Sequence, residues 1–142
     1  MKENQFSELA SLFFSTKQIM KKQMPTNAHS DPNSWLRFET MKFIDVSGEP
    51  TMRDIAEYLR IKAPSATSLI AHLASLGLIV RKVEKDDKRI VRIALSPKGA
   101  KEVDAYTKRS IVTMRKTFSK LDAKEIQTLV TILKHLRAAH LK

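Results

Sequence analysis

The sequence predicts a mainly α-helical fold with one small β-hairpin, and three observations support this prediction. Only 3 glycines and 5 prolines occur in 142 residues, which favours long helices. Apolar side chains recur at helical spacing in most of the chain. The run Ile79, Arg81 and Val83 alternates instead, as does a second run from Ile90 to Leu95, with the polar turn EKDDK between them. The length suits one domain with a buried core.

Two helices are expected before residue 50. The first covers about residues 4–23, with Phe6, Leu9, Phe13 and Met20 near one face. Residues 24–33, MPTNAHSDPN, are rich in turn formers and predict a loop. The second helix starts at a cap provided by Asn33 or Ser34 and runs to about Val46. Its apolar stripe, which we assign to the core, consists of Trp35, Phe38, Met41 and Ile44.

Residues 50–99 predict a helix, a tight turn, a second helix and then the hairpin. Thr51 and Asp54 form a T-x-x-D signal that resembles a capping box, and the helix after it ends near Leu59. Pro64 suits the first turn of the next helix, about 63–76, which Gly77 ends. The buried stripe of this second helix is predicted to be Leu69, Ile70, Leu73 and Leu76.

The other face of the second helix is polar but carries no formal charge. Its residues are Ser65, Ala66, Thr67, Ser68, Ala71, His72 and Ser75. A solvated face usually carries Lys and Glu, and none occurs between Pro64 and Leu78. Short polar side chains let a helix approach base edges and phosphates closely in a major groove. The pattern therefore indicates a contact surface for DNA.

Charge also favours a polyanionic partner, although a merely solvated basic surface is the alternative. The chain has 26 Lys and Arg against 15 Asp and Glu, a net charge of +11. Residues 1–50 are balanced, residues 51–95 carry nine basic and five acidic groups, and residues 96–142 carry eleven and four. An arginine at the hairpin tip can enter a narrow minor groove, where the potential is strongly negative. Asp86 or Asp87 could hold that arginine through a charge-assisted bond.

Two further helices are expected at the C-terminal end. Ser96 caps a long helix that opens at Pro97 and covers about residues 97–120, and Asp122 with Glu125 starts a last helix through Leu141. A helix-turn-helix with a hairpin needs only part of this chain. The helices at both ends are therefore expected to form a dimer, because two half-sites one DNA turn apart need two recognition helices at fixed separation. Packing within one protomer is the alternative.

The strings TMRDIAEYLRI, SATSLIAHLASLGLIVR and DDKRIVRIALSPKG resemble the MarR-type winged-helix transcriptional regulators. The most specific element is an acidic-x-Arg wing, here Asp87-Lys88-Arg89, followed by V-x-L-[ST]-x-x-G, here Ile93 to Gly99. The resemblance implies one MarR-like domain over residues 1–142. Within it, residues 50–99 form a winged helix-turn-helix and residues 1–24 and 97–142 form dimerisation helices. It further implies a homodimeric, sequence-specific regulator, a repressor released by a small-molecule ligand, on a pseudo-palindromic operator in double-stranded DNA.

The resemblance also assigns roles to residues. Arg89 would enter the minor groove, Asp87 would orient arginines, and the short polar side chains of the second helix would face the major groove. The predicted DNA-binding residues are Lys62, Ser65, Thr67, Ser68, His72, Arg81, Lys82, Lys85, Asp87, Lys88, Arg89 and Arg92. The chain departs from the family pattern in having Ser68 where an arginine is common and Lys85-Asp86 where an Asp-Pro pair is frequent.

A small aromatic or anionic effector is expected near Trp35, Arg37 and Phe38, with core packing as the alternative. The four histidines lack metal-site spacing and cysteine is absent, so neither a metal, a cofactor nor a disulfide is expected. Nucleophile–base pairs, paired catalytic carboxylates and phosphate-binding glycine loops are missing, so an enzyme is not expected. Without a signal peptide or an 18-residue apolar run, a cytoplasmic protein without membrane contact is expected.

Two other functions remain open from the residues alone. The first is a nonspecific, architectural DNA binder, which would show salt-dependent binding without sequence preference. The second is a winged-helix protein-interaction module whose basic surface serves solubility, and such a module would not bind DNA even at low salt.

Overall fold

A computed structural model describes residues 2–24 and 33–141, and it confirms the mainly helical fold with one hairpin. The predicted loop at 24–33 lies almost wholly outside these residues. The elements are α1 (Glu3–Gln23), α2 (Ser34–Ser47), α3 (Met52–Leu59), α4 (Ala63–Ser75), β1 (Ile79–Val83), β2 (Val91–Leu95), α5 (Pro97–Thr117) and α6 (Ala123–His140). The described residues divide into two compact units. We call residues 33–108 the winged unit, and residues 2–24 with 109–141 the terminal unit.

Local capping explains where α3 begins, as the sequence predicts. The Thr51 hydroxyl accepts a hydrogen bond from the Asp54 amide at 3.2 Å, and the Asp54 carboxylate accepts one from the Thr51 amide at 3.0 Å. These bonds satisfy two amides that would otherwise have no partner at the helix start. Hydrogen bonds from Thr51 lower the pKa of Asp54 below its ordinary value. Asn33 occupies the cap position of α2, but its side chain makes no capping bond.

The hairpin is antiparallel, with Ile79 opposite Leu95 and Val83 opposite Val91. The free edge of β2 is partly covered, because the Ile93 amide donates to the Pro50 carbonyl at 2.9 Å and Thr51 bridges to Arg92. The chain segment before α3 is thereby attached to the hairpin. This attachment places the middle of β2 beside the start of the helix-turn-helix.

The core lies in the winged unit between its helices and the hairpin. Ile55, Ile70, Leu73 and Ile93 are fully buried. Met41, Ile44, Leu78, Ile79 and Val103 complete this cluster. Leu69 and Leu76 of the predicted stripe are only partly buried and pack against it.

Two predictions about the core are wrong. Trp35 is 63% exposed. It lies in the first turn of α2, whereas the packing of this helix against the core starts one turn later, at Phe38. Ala66, which we expected on the polar face of α4, is 1% exposed. It shares a face with Ile70 and Leu73, because residues separated by three, four and seven positions line up along a helix.

The terminal unit has no comparable core. Neither α1 nor α6 contains a buried residue. Apolar side chains that remain more than one-third exposed include Phe6, Leu9, Phe13, Phe14, Ile132, Leu133 and Leu136. A capping box starts α6, where the Glu125 amide donates to Asp122 at 2.8 Å and the Asp122 amide donates to Glu125 at 2.9 Å. No helix in the described ranges is long and apolar enough to cross a membrane.

Candidate nucleic-acid interface

The exposed face of α4 consists of short side chains. Ser65, Ser68 and His72 follow one another at spacings of three and four residues and are exposed, with Thr67 beside them. The Thr67 hydroxyl donates to the Ala63 carbonyl of its own helix at 3.0 Å, which fixes its rotamer and leaves its oxygen as an acceptor. The face therefore carries no Lys, Arg, Asp or Glu, and its short side chains let another surface approach the helix backbone closely.

The turn between α3 and α4 presents positive charge at the start of this face. Arg60 adopts a left-handed conformation (φ 55°, ψ 45°) as the cap of α3, and its amide donates to the Glu57 carbonyl at 3.2 Å. Lys62 occupies the cap position of α4 and is exposed. Arg60 and Arg53, which the sequence analysis does not single out, line a shallow depression between the two helices together with Thr67, and Arg53 is paired with Glu57 at 3.1 Å. In the sequence, only the positive charge of these two arginines points to them.

At the tip of the wing, Asp87 holds Arg89 through three hydrogen bonds. The Arg89 Nε and Nη2 atoms donate to the two carboxylate oxygens at 3.0 and 3.1 Å, and the Arg89 amide donates to Oδ1 at 3.0 Å. The Arg89 side chain is nevertheless 91% exposed. Hydrogen bonds from Arg89 lower the pKa of Asp87, and the same pairing raises the pKa of Arg89. The guanidinium is thus oriented while it remains accessible to a ligand.

In the half of the wing nearer its loop, two of the predicted DNA-binding residues form ion pairs. Lys82 and Arg92 stand directly opposite each other in the hairpin, where like charges destabilise a sheet. A glutamate neutralises each: Lys82 Nζ lies 2.6 Å from Glu49, and Arg92 Nε lies 2.7 Å from Glu84. The two ion pairs explain how both cations can lie opposite each other. Their partners, Glu49 and Glu84, are not singled out by the sequence alone.

The remaining basic residues of the wing are exposed. Arg81 lies on β1 opposite Ile93. Lys85 and Lys88 lie in the loop between the strands, and neither makes an ion pair or hydrogen bond with any residue of the described ranges. Positive charge that no described carboxylate pairs is therefore available both on β1, at Arg81, and in the loop, at Lys85 and Lys88.

The effector candidates lie at the start of α2. Phe38 stacks on Tyr106 with ring centroids 3.9 Å apart, and it also packs against the core. Arg37 is half-buried, and Trp35 is exposed as described above. Within residues 2–24 and 33–141, no three His, Asp or Glu side chains come together in a way that could hold a metal ion.

These features together form a winged helix-turn-helix. A capped helix and a second helix are joined by a three-residue turn, and a two-stranded wing follows with an Asp-x-Arg pair at its tip. The model of the MarR family matches residues 35–90, which cover α2 from Trp35 onward, the helix-turn-helix and the wing up to Ile90. The family model thereby confirms the resemblance seen in the sequence over this part of the chain.

Known proteins resemble the chain at low identity. It is 25% identical over 122 residues to the uncharacterized HTH-type transcriptional regulator YwhA of Bacillus subtilis, a match that spans 86% of this chain and 84% of that protein. It is 22% identical over 101 residues to the uncharacterized HTH-type transcriptional regulator YdgJ of the same organism, which spans 71% of this chain and 62% of that protein. The fold matches a MarR family protein from Bacillus stearothermophilus with a TM-score of 0.82 at 18% identity, covering 100% and 99% of the two chains.

Proposed function

We propose that the protein is a homodimeric regulator that binds DNA sequence-specifically and acts as a repressor. The observation that carries this proposal is the exposed, uncharged face of α4 in the same compact unit as a basic wing. An α-helix fits the major groove, where each base pair presents a distinct pattern of donors and acceptors. A hairpin tip with an arginine fits a narrow minor groove. The two elements can therefore read one duplex together.

Each predicted residue has a role in this proposal. Ser65, Thr67, Ser68 and His72 contact base edges and phosphates in the major groove, and Arg89, held by Asp87, enters the minor groove. Positive charge along the phosphate backbone comes from Lys62, Arg81, Lys82, Lys85, Lys88 and Arg92. Lys82 and Arg92 contribute through the electrostatic field of the wing and not as free cations, because each is already paired with a glutamate.

The dimer is proposed to form through the helices of residues 1–24 and 97–142. Exposed apolar residues of α1 and α6 support this, since single domains rarely leave large contiguous apolar surfaces in water. A second copy of the chain covers such a surface by two-fold symmetry, which also matches a pseudo-palindromic operator. Sedimentation should give a dimer mass at micromolar concentration, and a monomer there would contradict this part of the proposal.

We further propose that a small aromatic or anionic effector binds near Trp35, Arg37 and Phe38 and releases the protein from DNA. The exposed indole of Trp35, three residues before Phe38 and therefore on the same side of α2, supports this proposal, because an aromatic ligand can stack on it. Trp35 is the only tryptophan, so its fluorescence reports on this place alone. Titration with benzoate should quench it in a saturable way and weaken DNA binding. Unchanged fluorescence and DNA affinity at millimolar benzoate would count against an aromatic carboxylate effector here.

Footprinting on the DNA upstream of the protein's own gene tests the main proposal, because it reports binding, symmetry and half-site spacing together. Two protected half-sites about 34–36 Å apart are expected for a two-fold dimer. Binding should also weaken steeply with salt. Salt-dependent binding without preference would favour an architectural DNA binder instead. Absence of binding at low salt would favour a protein-interaction module.

A further inference from the structure

The end of α4 is joined to the start of α5 by hydrogen bonds from one short segment. Three consecutive carbonyls accept bonds from residues 96–98: Leu76 from Lys98 Nζ at 2.8 Å, Gly77 from the Ser96 hydroxyl at 2.5 Å, and Leu78 from the Ser96 amide at 3.0 Å. We call residues 76–78 and 96–99 the α4–α5 junction. All of them belong to the winged unit.

Two residues of the junction have almost no freedom to change. The Ser96 hydroxyl donates to Gly77 and accepts from the Gly99 amide at 3.0 Å, so it bonds both sides at once. Gly99 approaches the opposite segment so closely that a Cβ atom there would lie 2.0 Å from the Leu78 carbonyl oxygen. Any larger residue at position 99 would push α5 away from the end of α4.

The junction also includes the base of the wing. Leu78 leads directly into β1 and Ser96 directly follows β2, and the first pair of the hairpin is Ile79 with Leu95. The junction therefore holds four elements together: the end of α4, both strands of the hairpin and the first turn of α5. The distance and angle between α4 and the wing are set there before any ligand binds.

We propose that Ser96 and Lys98 are positioning residues for DNA recognition, which fix α4 relative to the wing, and that Gly99 permits the close contact. This inference rests on the proposed role of α4 as the helix that reads the major groove. A long arginine can adjust its rotamer when its helix is displaced, but the short side chains of Ser65 and Ser68 cannot. Readout by such side chains therefore depends on a backbone position fixed in advance.

The experiment must separate positioning by Lys98 from direct attraction of phosphates, because any exposed lysine in a DNA-binding protein attracts phosphates. Its ammonium group bonds a carbonyl at the C-terminal end of α4, where the helix dipole favours positive charge. Lys101 lies three residues further along the same helix, is exposed, and makes no hydrogen bond or ion pair with any described residue. The two lysines thus form a matched pair with the same charge and different contacts.

The experiment compares Lys98→Met with Lys101→Met, and Ser96→Ala with Ser96→Thr. For each full-length variant, binding constants are measured on the footprinted duplex and on a scrambled duplex of equal length, across a range of salt concentrations. We expect Lys98→Met and Ser96→Ala each to lower the ratio of specific to nonspecific binding by about three- to tenfold, the equivalent of one or two lost hydrogen bonds. Lys101→Met should leave this ratio unchanged, and Ser96→Thr, which keeps the hydroxyl, should restore it to within about twofold.

Three results would overturn the inference. Equal ratios for Lys98→Met and Lys101→Met, with a salt slope reduced by about one only in the former, would make Lys98 a phosphate contact. A lower melting temperature for Ser96→Ala without a change in the ratio would make the junction purely structural. A wild-type protein that binds both duplexes equally would remove the proposed function and this inference together, and that result is distinct from the first two.

Discussion

The pair Asp86 and Asp87 offers a test of the wing in which two neighbouring substitutions remove the same charge. Only Asp87 bonds Arg89, whereas Asp86 is exposed and bonds no described residue. Asp87→Asn therefore removes a repulsive charge from the tip and also releases Arg89, while Asp86→Asn removes the charge alone. The difference between the two variants isolates the orientation of Arg89.

The size of this difference follows from side-chain entropy. A free arginine loses rotamer entropy when it is fixed in a groove, and this loss corresponds to at most about a thirtyfold change in a binding constant. With Asp87 present, part of that loss has already occurred in the free protein, because the guanidinium makes two bonds and the Arg89 amide a third. We expect Asp87→Asn to weaken specific binding by about three- to tenfold relative to Asp86→Asn.

Fluorescence anisotropy with the footprinted and scrambled duplexes measures the effect. Asp86→Asn should tighten binding to both duplexes slightly and equally, because it only makes the tip more positive. Asp87→Asn should lose affinity for the footprinted duplex alone. Equal changes in both variants on both duplexes would refute the view that Asp87 positions Arg89 for DNA.

Three further predictions concern charge and packing. Asp87 should titrate below the ordinary range of an aspartate, because hydrogen bonds from Arg89 lower its pKa, and carboxyl NMR should show the pair lost as pH falls through that lowered pKa. Lys85→Met should reduce the salt slope of DNA binding by about one, and Lys82→Met by less, since only Lys82 is paired with a glutamate. Ile93→Ala should lower the free energy of unfolding by about 2–5 kcal/mol in urea, whereas the exposed Val83 of the same hairpin should tolerate alanine within about 0.5 kcal/mol.

The parts of the fold that sequence predicts are those set by neighbouring residues. Thr51 and Asp54 are three positions apart, so their reciprocal bonds are visible as a local pattern, and Asp122 with Glu125 repeats it. The alternation in the hairpin likewise depends on adjacent side chains. Each of these elements begins and ends within a few residues of the prediction because its cause lies within the same few residues.

Features that depend on distant residues could not be predicted in this way. Trp35 continues the stripe of α2 perfectly well in sequence, but whether it is covered depends on what the fold places against it. Lys82 meets Glu49 across 33 positions, so its pairing follows from the hairpin register and the turn after α2. Ser96 could be recognised as a helix cap, but its bond to Gly77 joins residues 19 positions apart.

Because the exposed face of α4 is uncharged, the contacts that fix the position of α4 matter for its proposed role in DNA recognition. Serine and threonine hydroxyls reach only a short way from the helix axis, and they supply little of the electrostatic attraction that dominates affinity for DNA. If α4 reads DNA as proposed, attraction must come from other parts of the chain, such as residues 96–142 with eleven basic and four acidic groups, while discrimination between sequences depends on how accurately α4 is placed. Two arrangements fix the elements to which we assign DNA reading: Asp87 bonds Arg89, and the α4–α5 junction bonds the end of α4. Loosening either one should cost sequence preference before it costs attraction to DNA.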